Sequence, residues 1–127
     1  MPSPDDARVA RLATVDPQGR PHVVPICFAF DGETLYTVVD EKPKRTRQLQ
    51  RLRNIEANPQ VEVLIDEYDE DWSRLWWVRL RGTGRIVEDP HAVELLRAKY
   101  PQYRDAELGP VIAVAVEERS EWTSSPS

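Results

Sequence analysis

Two tight-turn signals divide the amino-terminal third of the chain into three strand-like stretches, a punctuation that commits it to an antiparallel meander. Val9 to Val15 alternates, with Arg11 facing away from Leu12 and short side chains between them. Asp16-Pro17-Gln18-Gly19 follows, proline fixing φ and glycine admitting positive φ. Arg20 to Phe30 then resumes as an extended apolar segment, so the two stretches are expected to form a hairpin. Asp31-Gly32 is the second turn, leading into Leu35 to Val39, rich in β-branched and aromatic side chains.

The period then changes. Between Lys44 and Ala57, Leu49, Leu52 and Ile55 recur at helical spacing, while Arg45, Arg47, Arg51 and Arg53 fall among the other positions, the pattern of an amphipathic helix. Asn58-Pro59 stops it, and Val61 to Ile65 alternates as a fourth strand. Asp66 to Asp71 carries five acids in six residues around Tyr68 and reads as a solvated loop. Leu75 to Val87 is a long strand in which Gly82 and Gly84 mark a bulge or bend. Pro90 opens a second helix that puts Val93, Leu96 and Tyr100 on one face before Pro101 ends it, and Val111 to Val116 is the last strand. Ser3-Pro4-Asp5-Asp6 carries the cap, proline and acids of a short helix start. The expected fold is mainly β with two or three short helices: a six-stranded antiparallel barrel in one domain over residues 1–119, with a tail over 120–127. Trp122 is a large apolar residue that the tail does not explain.

Several function classes fall away. The longest apolar runs, Val23 to Phe30 and Val111 to Val116, are far short of the roughly 20 residues that span a bilayer, and no basic-then-apolar leader opens the chain, so a cytoplasmic protein without membrane contact is expected. Cys27 is the single cysteine, which excludes an internal disulfide and a multi-cysteine zinc site. His22 and His91 are distant from each other, and the acidic run departs from an EF-hand loop, so no metal site is expected. His22 has no serine or carboxylate partner at readable spacing and is expected to be a packed histidine; Cys27, inside an apolar strand, is expected to be core. No side chain presents itself as a catalytic nucleophile, acid or base.

Charge is the more informative quantity. Six of the 17 basic residues lie between Lys42 and Arg53 with no acid among them, leaving 11 against all 22 acids elsewhere. A cationic segment in an acidic body suits one compact phosphate-bearing ligand better than a long nucleic acid, which the body would repel. The segment sits where a strand end meets a helix start, over Tyr36 to Arg47, and unpaired helix amides beside Lys and Arg make a phosphate cradle. A solvated basic face is the plainer alternative. Trp76 and Trp77, adjacent on a strand, must face opposite sides; one enters the core, and the other is either a ring-binding wall or an interface residue.

These segments, taken in order, resemble the split β-barrel flavin and deazaflavin proteins related to pyridoxamine 5'-phosphate oxidase. The resemblance spans nearly the whole chain and is carried by Ala10 to Val15, Gly19 to Pro25, Leu35 to Asp40, Lys42 to Arg45, Asn58-Pro59 with Val61, and Trp77 to Gly82. The longer runs Asp40 to Arg47, Leu52 to Ile55, Tyr68 to Trp72, Leu75 to Arg79 and Ala98 to Tyr103 resemble an actinobacterial branch of coenzyme F420-dependent enzymes. The resemblance implies a homodimer with cofactor at the subunit interface and hydride transfer between the deazaflavin and a small organic substrate. FMN is the alternative cofactor, and a non-enzymatic carrier the alternative role. It further implies that Lys44 and Arg45, assisted by Lys42, meet the phosphate. Pro25, Thr37, Val39 and Asp40 would line the ring or ribityl portion, with Trp77 of the other subunit as a wall. The amino-terminal helix is shorter than is usual in that superfamily. The phosphate segment is not that of a pyridoxamine phosphate oxidase proper, and the chain lacks the length for its further substrate-binding segments, so vitamin B6 oxidation is not expected.

Overall fold

The computed structural model describes residues 3–39 and 46–124, and for 46–49 the backbone alone. Seven strands and two α-helices follow one another: β1 (Ala10–Val15), β2 (Pro21–Ile26), β3 (Ala29–Asp31), β4 (Thr34–Val38), α1 (Thr46–Ala57), β5 (Gln60–Glu67), β6 (Trp76–Val87), α2 (Pro90–Lys99) and β7 (Val111–Thr123). The expected short helix at the amino terminus is a single 3-10 turn, Pro4–Asp6, capped by the Ser3 hydroxyl.

All the strands lie in one antiparallel sheet, in the order β2-β1-β5-β6-β7-β4-β3. Two expectations need correction. The described residues form seven strands rather than six, because Cys27 and Phe28 break the stretch from Arg20 to Phe30 into β2 and β3. These stand at opposite edges of the sheet yet are joined by two residues, a link of about 11 Å at most. The sheet must therefore curl until its edges meet at one corner, although no ladder joins β2 to β3 among the described residues. The last strand, moreover, runs to Thr123 rather than to Val116, so residues 120–123 of the expected tail belong to the sheet, paired with β6. The bulge expected near Gly82 is present as a register shift between Arg81 and Gly82.

Alternation decides what the curled sheet encloses. Leu12, Leu35, Val63, Ile65, Val78, Leu80, Ile112 and Val114 point inward, joined by Phe28 from the corner and Ile55 from α1. A second cluster forms under α2, where Leu96 and Tyr100 pack with Val38 and Val111, with Cys27 at its margin. α1 is held by more than apolar contact. Asn54, fully buried, donates to the Thr14 hydroxyl at 3.0 Å and accepts from the Gln50 amide at 2.7 Å, tying the helix to β1.

The corner has its own fastening. The Tyr100 hydroxyl accepts the Phe28 N–H at 3.0 Å and faces the carbonyls of Arg8 and Phe28 at 3.1 and 3.2 Å, with one proton to donate between them. Burial pushes its pKa up. Tyr100→Phe strips the Phe28 amide of its partner in a buried setting, and the expected loss is about 1–3 kcal/mol, read as a lower midpoint in urea unfolding. An unchanged midpoint would mean that the corner holds without this bond.

Lys99 lies beside it. Its ammonium sits 3.7 Å from the centre of the Phe28 ring, and desolvation, with Arg8 nearby, lowers its pKa to about 8. Since the unfolded chain binds this proton up to the ordinary lysine value, unfolding takes up protons between pH 8 and 10, and stability should rise with pH across that window. Lys99→Met is expected to flatten that rise and to raise the melting temperature at pH 7. Parallel pH profiles for the two proteins would refute this.

Candidate cofactor-binding site

Residues of odd number on β1, β2 and β6 and even number on β5 face away from the enclosed core. In register, one row on this outer face runs Pro25, Arg11, Leu64, Arg79, Ser120, and the next runs Val23, Ala13, Glu62, Arg81, Glu118. A third holds Asp66, Trp77 and Trp122. Charges on the face are largely matched within it: Arg11 pairs with Asp66 at 2.9 Å, and Arg81 lies 3.4 Å from Glu62 and 3.6 Å from Glu118. Apolar surface remains in the open, with Val23 61%, Leu64 37% and Trp122 44% exposed. Among the described residues no helix covers this side, and α1 packs on the other.

The residues singled out from the sequence divide into three groups. Pro25 and Trp77 are both on the outer face, Pro25 exposed and Trp77 half-buried. β1 and β5 lie between their strands, which puts the two residues about 15 Å apart along the sheet, more than one tricyclic ring can bridge. Thr37 and Val39 are buried, at 1% and 0% exposure. The Thr37 hydroxyl has no hydrogen-bond partner among the described residues. Val39 donates its backbone N–H to the Pro110 carbonyl at 3.0 Å and accepts the Gly109 N–H at 2.7 Å, which anchors the strand end. Asp40, Lys42, Lys44 and Arg45 lie outside the described residues.

Among the described residues β4 ends at Val38 and α1 begins at Thr46, so Lys42, Lys44 and Arg45 fall between them in sequence. The expected separation of the tryptophans is present. Trp76 is buried, its indole N–H donating to Glu67 at 2.9 Å, while the Arg79 guanidinium stands 5.6 Å from the Trp77 ring centre. His22 is an inward-facing, half-buried residue opposite Thr14, and among the described residues its Nδ1 has no partner. His91 is exposed and 3.1 Å from Asp31. A cavity of about 570 Å³ opens elsewhere, between the end of β6 and the start of α2; Val87, Val93 and Leu108 line it, with Glu88 and Asp89, and it includes no residue expected at the site. Among the described residues no three His, Cys, Asp or Glu side chains gather as metal ligands, and no helix is long and apolar enough to cross a membrane.

The sequence pattern of the pyridoxamine 5'-phosphate oxidase family matches residues 4–123. The chain belongs to that family. It is a flavin-binding family whose members are often dimeric. The solved structure of an F420 reductase is 28% identical to this chain, with a TM-score of 0.65, and covers 94% of this chain and 98% of its own. Two more distant structures share the fold: an FAD-binding protein from Mesorhizobium loti (22% identical, TM-score 0.70, 93% and 87% covered) and the heme storage protein HutZ from Vibrio cholerae (18%, 0.71, 94% and 88%). In sequence, the heme oxygenase HutZ of Vibrio cholerae serotype O1 is 32% identical over 82 residues, 65% of this chain and 43% of that protein, so the chain aligns with less than half of that relative's length.

Two features escaped sequence reasoning. Asn54 is buried beside Ile55 on α1, and its spacing from Gln50 by one helical turn is the signal that could have exposed the pair. Trp122 stands among charged residues that carry no strand pattern, and only its register with Trp77 reveals it.

Proposed function

We propose that this chain is an F420-dependent oxidoreductase that works as a homodimer, transferring hydride between the deazaflavin and a small organic substrate, within the actinobacterial F420-using branch of its family. The observation that carries the reading is the likeness to an F420 reductase over almost the full length of both chains. The cationic segment from Lys42 to Arg53, which follows β4 in sequence and runs into α1, suits the phosphate of such a cofactor. The buried Thr37 hydroxyl, without a partner among the described residues at the end of β4, supports the same fit, since an unsatisfied polar group there is costly unless something meets it.

In this reading Lys44 and Arg45, with Lys42, hold the phosphate through charge-assisted hydrogen bonds. Pro25, Thr37 and Asp40 border the ring and ribityl portion, Val39 fixes the strand end beside them, and Trp77 of the other subunit closes the site. The reduced deazaflavin supplies the hydride when bound; the protein's share is position and exclusion of water. No residue is assigned as a catalytic acid, and no nucleic-acid or membrane partner is invoked.

A second reading, a carrier that holds its ligand without turnover, draws on the likeness to a heme storage protein. Titration with F420, FMN and hemin separately, followed by fluorescence or absorbance and by thermal stability, distinguishes them. Tight F420 binding with oxidation of the bound reduced cofactor by an electron acceptor supports the reductase. Preference for FMN moves the chemistry to flavin on the same fold, and hemin binding without F420 or FMN binding overturns the oxidoreductase reading.

A further inference from the structure

Residues 117–123 read Glu-Glu-Arg-Ser-Glu-Trp-Thr, a polar stretch in which one large apolar side chain has no evident place. β7 nevertheless continues through them, pairing Glu121 with Val78, Trp122 with Trp77 and Thr123 with Trp76. Directly opposed residues of an antiparallel pair share a face. Trp76 points into the core, so Trp77 and Trp122 both point out, side by side. Trp122 belongs to neither apolar cluster and is 44% exposed, so it contributes little to the packing of its own chain. Its position is nonetheless held, because the next residue, Ser124, donates from its backbone N–H and its hydroxyl to the Leu75 carbonyl at 3.1 and 3.2 Å. An exposed aromatic side chain on an anchored strand end is prepared for a partner surface.

We infer that Trp122 is a second ring-contact residue of the proposed cofactor site, forming with Trp77 a two-tryptophan wall that each copy of the chain presents to the cofactor of the other. The inference rests on the cofactor reading above. The wall cannot serve its own chain's Pro25, because Trp122 lies one strand beyond Trp77 and still farther from β2 on the same outer face. A second copy seated on this face brings the wall of one chain to the ring-lining residues of the other. The two indoles project from directly opposed positions on one face, with Asp66 opposite Trp77 on the β5 side and the Arg79 guanidinium 5.6 Å from the Trp77 ring centre, so Trp122 is the more open of the two to a tricyclic ring.

Full-length protein titrated with F420 and with FMN tests this. Trp122→Ala is expected to weaken the preferred cofactor about tenfold, with Trp122→Phe within about threefold of the wild type and Trp122→Leu as weak as alanine. Leucine equal to phenylalanine would assign Trp122 to packing, and an alanine variant that binds as the wild type does would overturn the inference. If the alanine variant fails to fold, the comparison of phenylalanine with leucine decides alone. A mixing experiment reads which chain the wall serves. Trp77→Ala/Trp122→Ala chains are exchanged with Lys44→Ala/Arg45→Ala chains, and about a quarter of the sites should recover tight binding in the mixture, since each mixed dimer rebuilds one complete site. Absence of recovery would overturn the exchange between copies. Wild-type protein that binds neither cofactor would overturn the function reading itself, an outcome distinct from wild-type binding that Trp122 does not affect.

Discussion

Gly82→Ala is expected to lower the melting temperature on the order of 10 °C, the largest stability loss anticipated for the addition of one methyl group to this chain. The residue sits at the register shift in β6, where β7 passes close against it. A Cβ there would drive into the carbonyl oxygen of Ala115 and stand 3.0 Å from the Ala115 carbonyl carbon and 3.2 Å from Val114 Cγ1. The obstacle is mainly backbone, held in the longest ladder of the sheet, and it can retreat only by giving up pairs between β6 and β7. Overpacking together with a weakened hydrogen bond or two comes to about 3 kcal/mol. Gly84→Ala is the matched control. Its Cβ would meet Val61 Cγ1 at 3.4 Å and Ile55 Cγ2 at 3.5 Å, ordinary contact with side-chain atoms, and the expected change is under about 1 kcal/mol. Equal melting temperatures for the two variants, followed by circular dichroism, would show that the bulge yields.

The largest functional effect is expected from Lys44→Ala/Arg45→Ala, which should weaken the bound cofactor by about a hundredfold or more. Two charge-assisted hydrogen bonds to one phosphate are worth about 3 kcal/mol or more together where water is partly excluded. The loss should be accompanied by a weaker dependence of affinity on salt, because fewer fixed cations then face the ligand. Arg85→Ala/Arg104→Ala removes the same charge from exposed positions beyond the segment and is expected to leave affinity within about twofold. If both double variants weaken binding equally, the effect is that of overall charge, and the phosphate assignment fails.

The legibility of this structure in its sequence followed from whether each residue had to satisfy an alternation. Inward positions on β1, β5 and the first part of β7 must be apolar, and those strands could be read directly. The break at Cys27 and Phe28 could not, since the chain stays apolar as it crosses from one sheet edge to the other and nothing punctuates it. Residues 117–123 of β7 are exposed or half-buried even though Trp76, Val78 and Leu80 of the β6 segment beside them are buried, so the stretch carries no apolar alternation and resembles a tail. At the site, the opposed directions of Trp76 and Trp77 follow from strand geometry alone. The burial of Thr37 and Val39 depends on how the loop before β7 folds back over the end of β4, an arrangement that local spacing does not encode.

The prolines of β2 bear on how copies of this chain can assemble. β2 is an outermost strand, paired only with β1, and alternate residues along it send their amides toward open water. Pro21 and Pro25 occupy two of the three positions of that set and have no N–H to offer, so Val23 alone retains an outward donor. An incoming strand would find almost no ladder to join, and fibrillar, edge-to-edge growth is blocked at the place where an open sheet is most exposed to it. In the proposed homodimer the copies would then meet through the broad face of the sheet, where a two-fold rotation also closes the assembly at two.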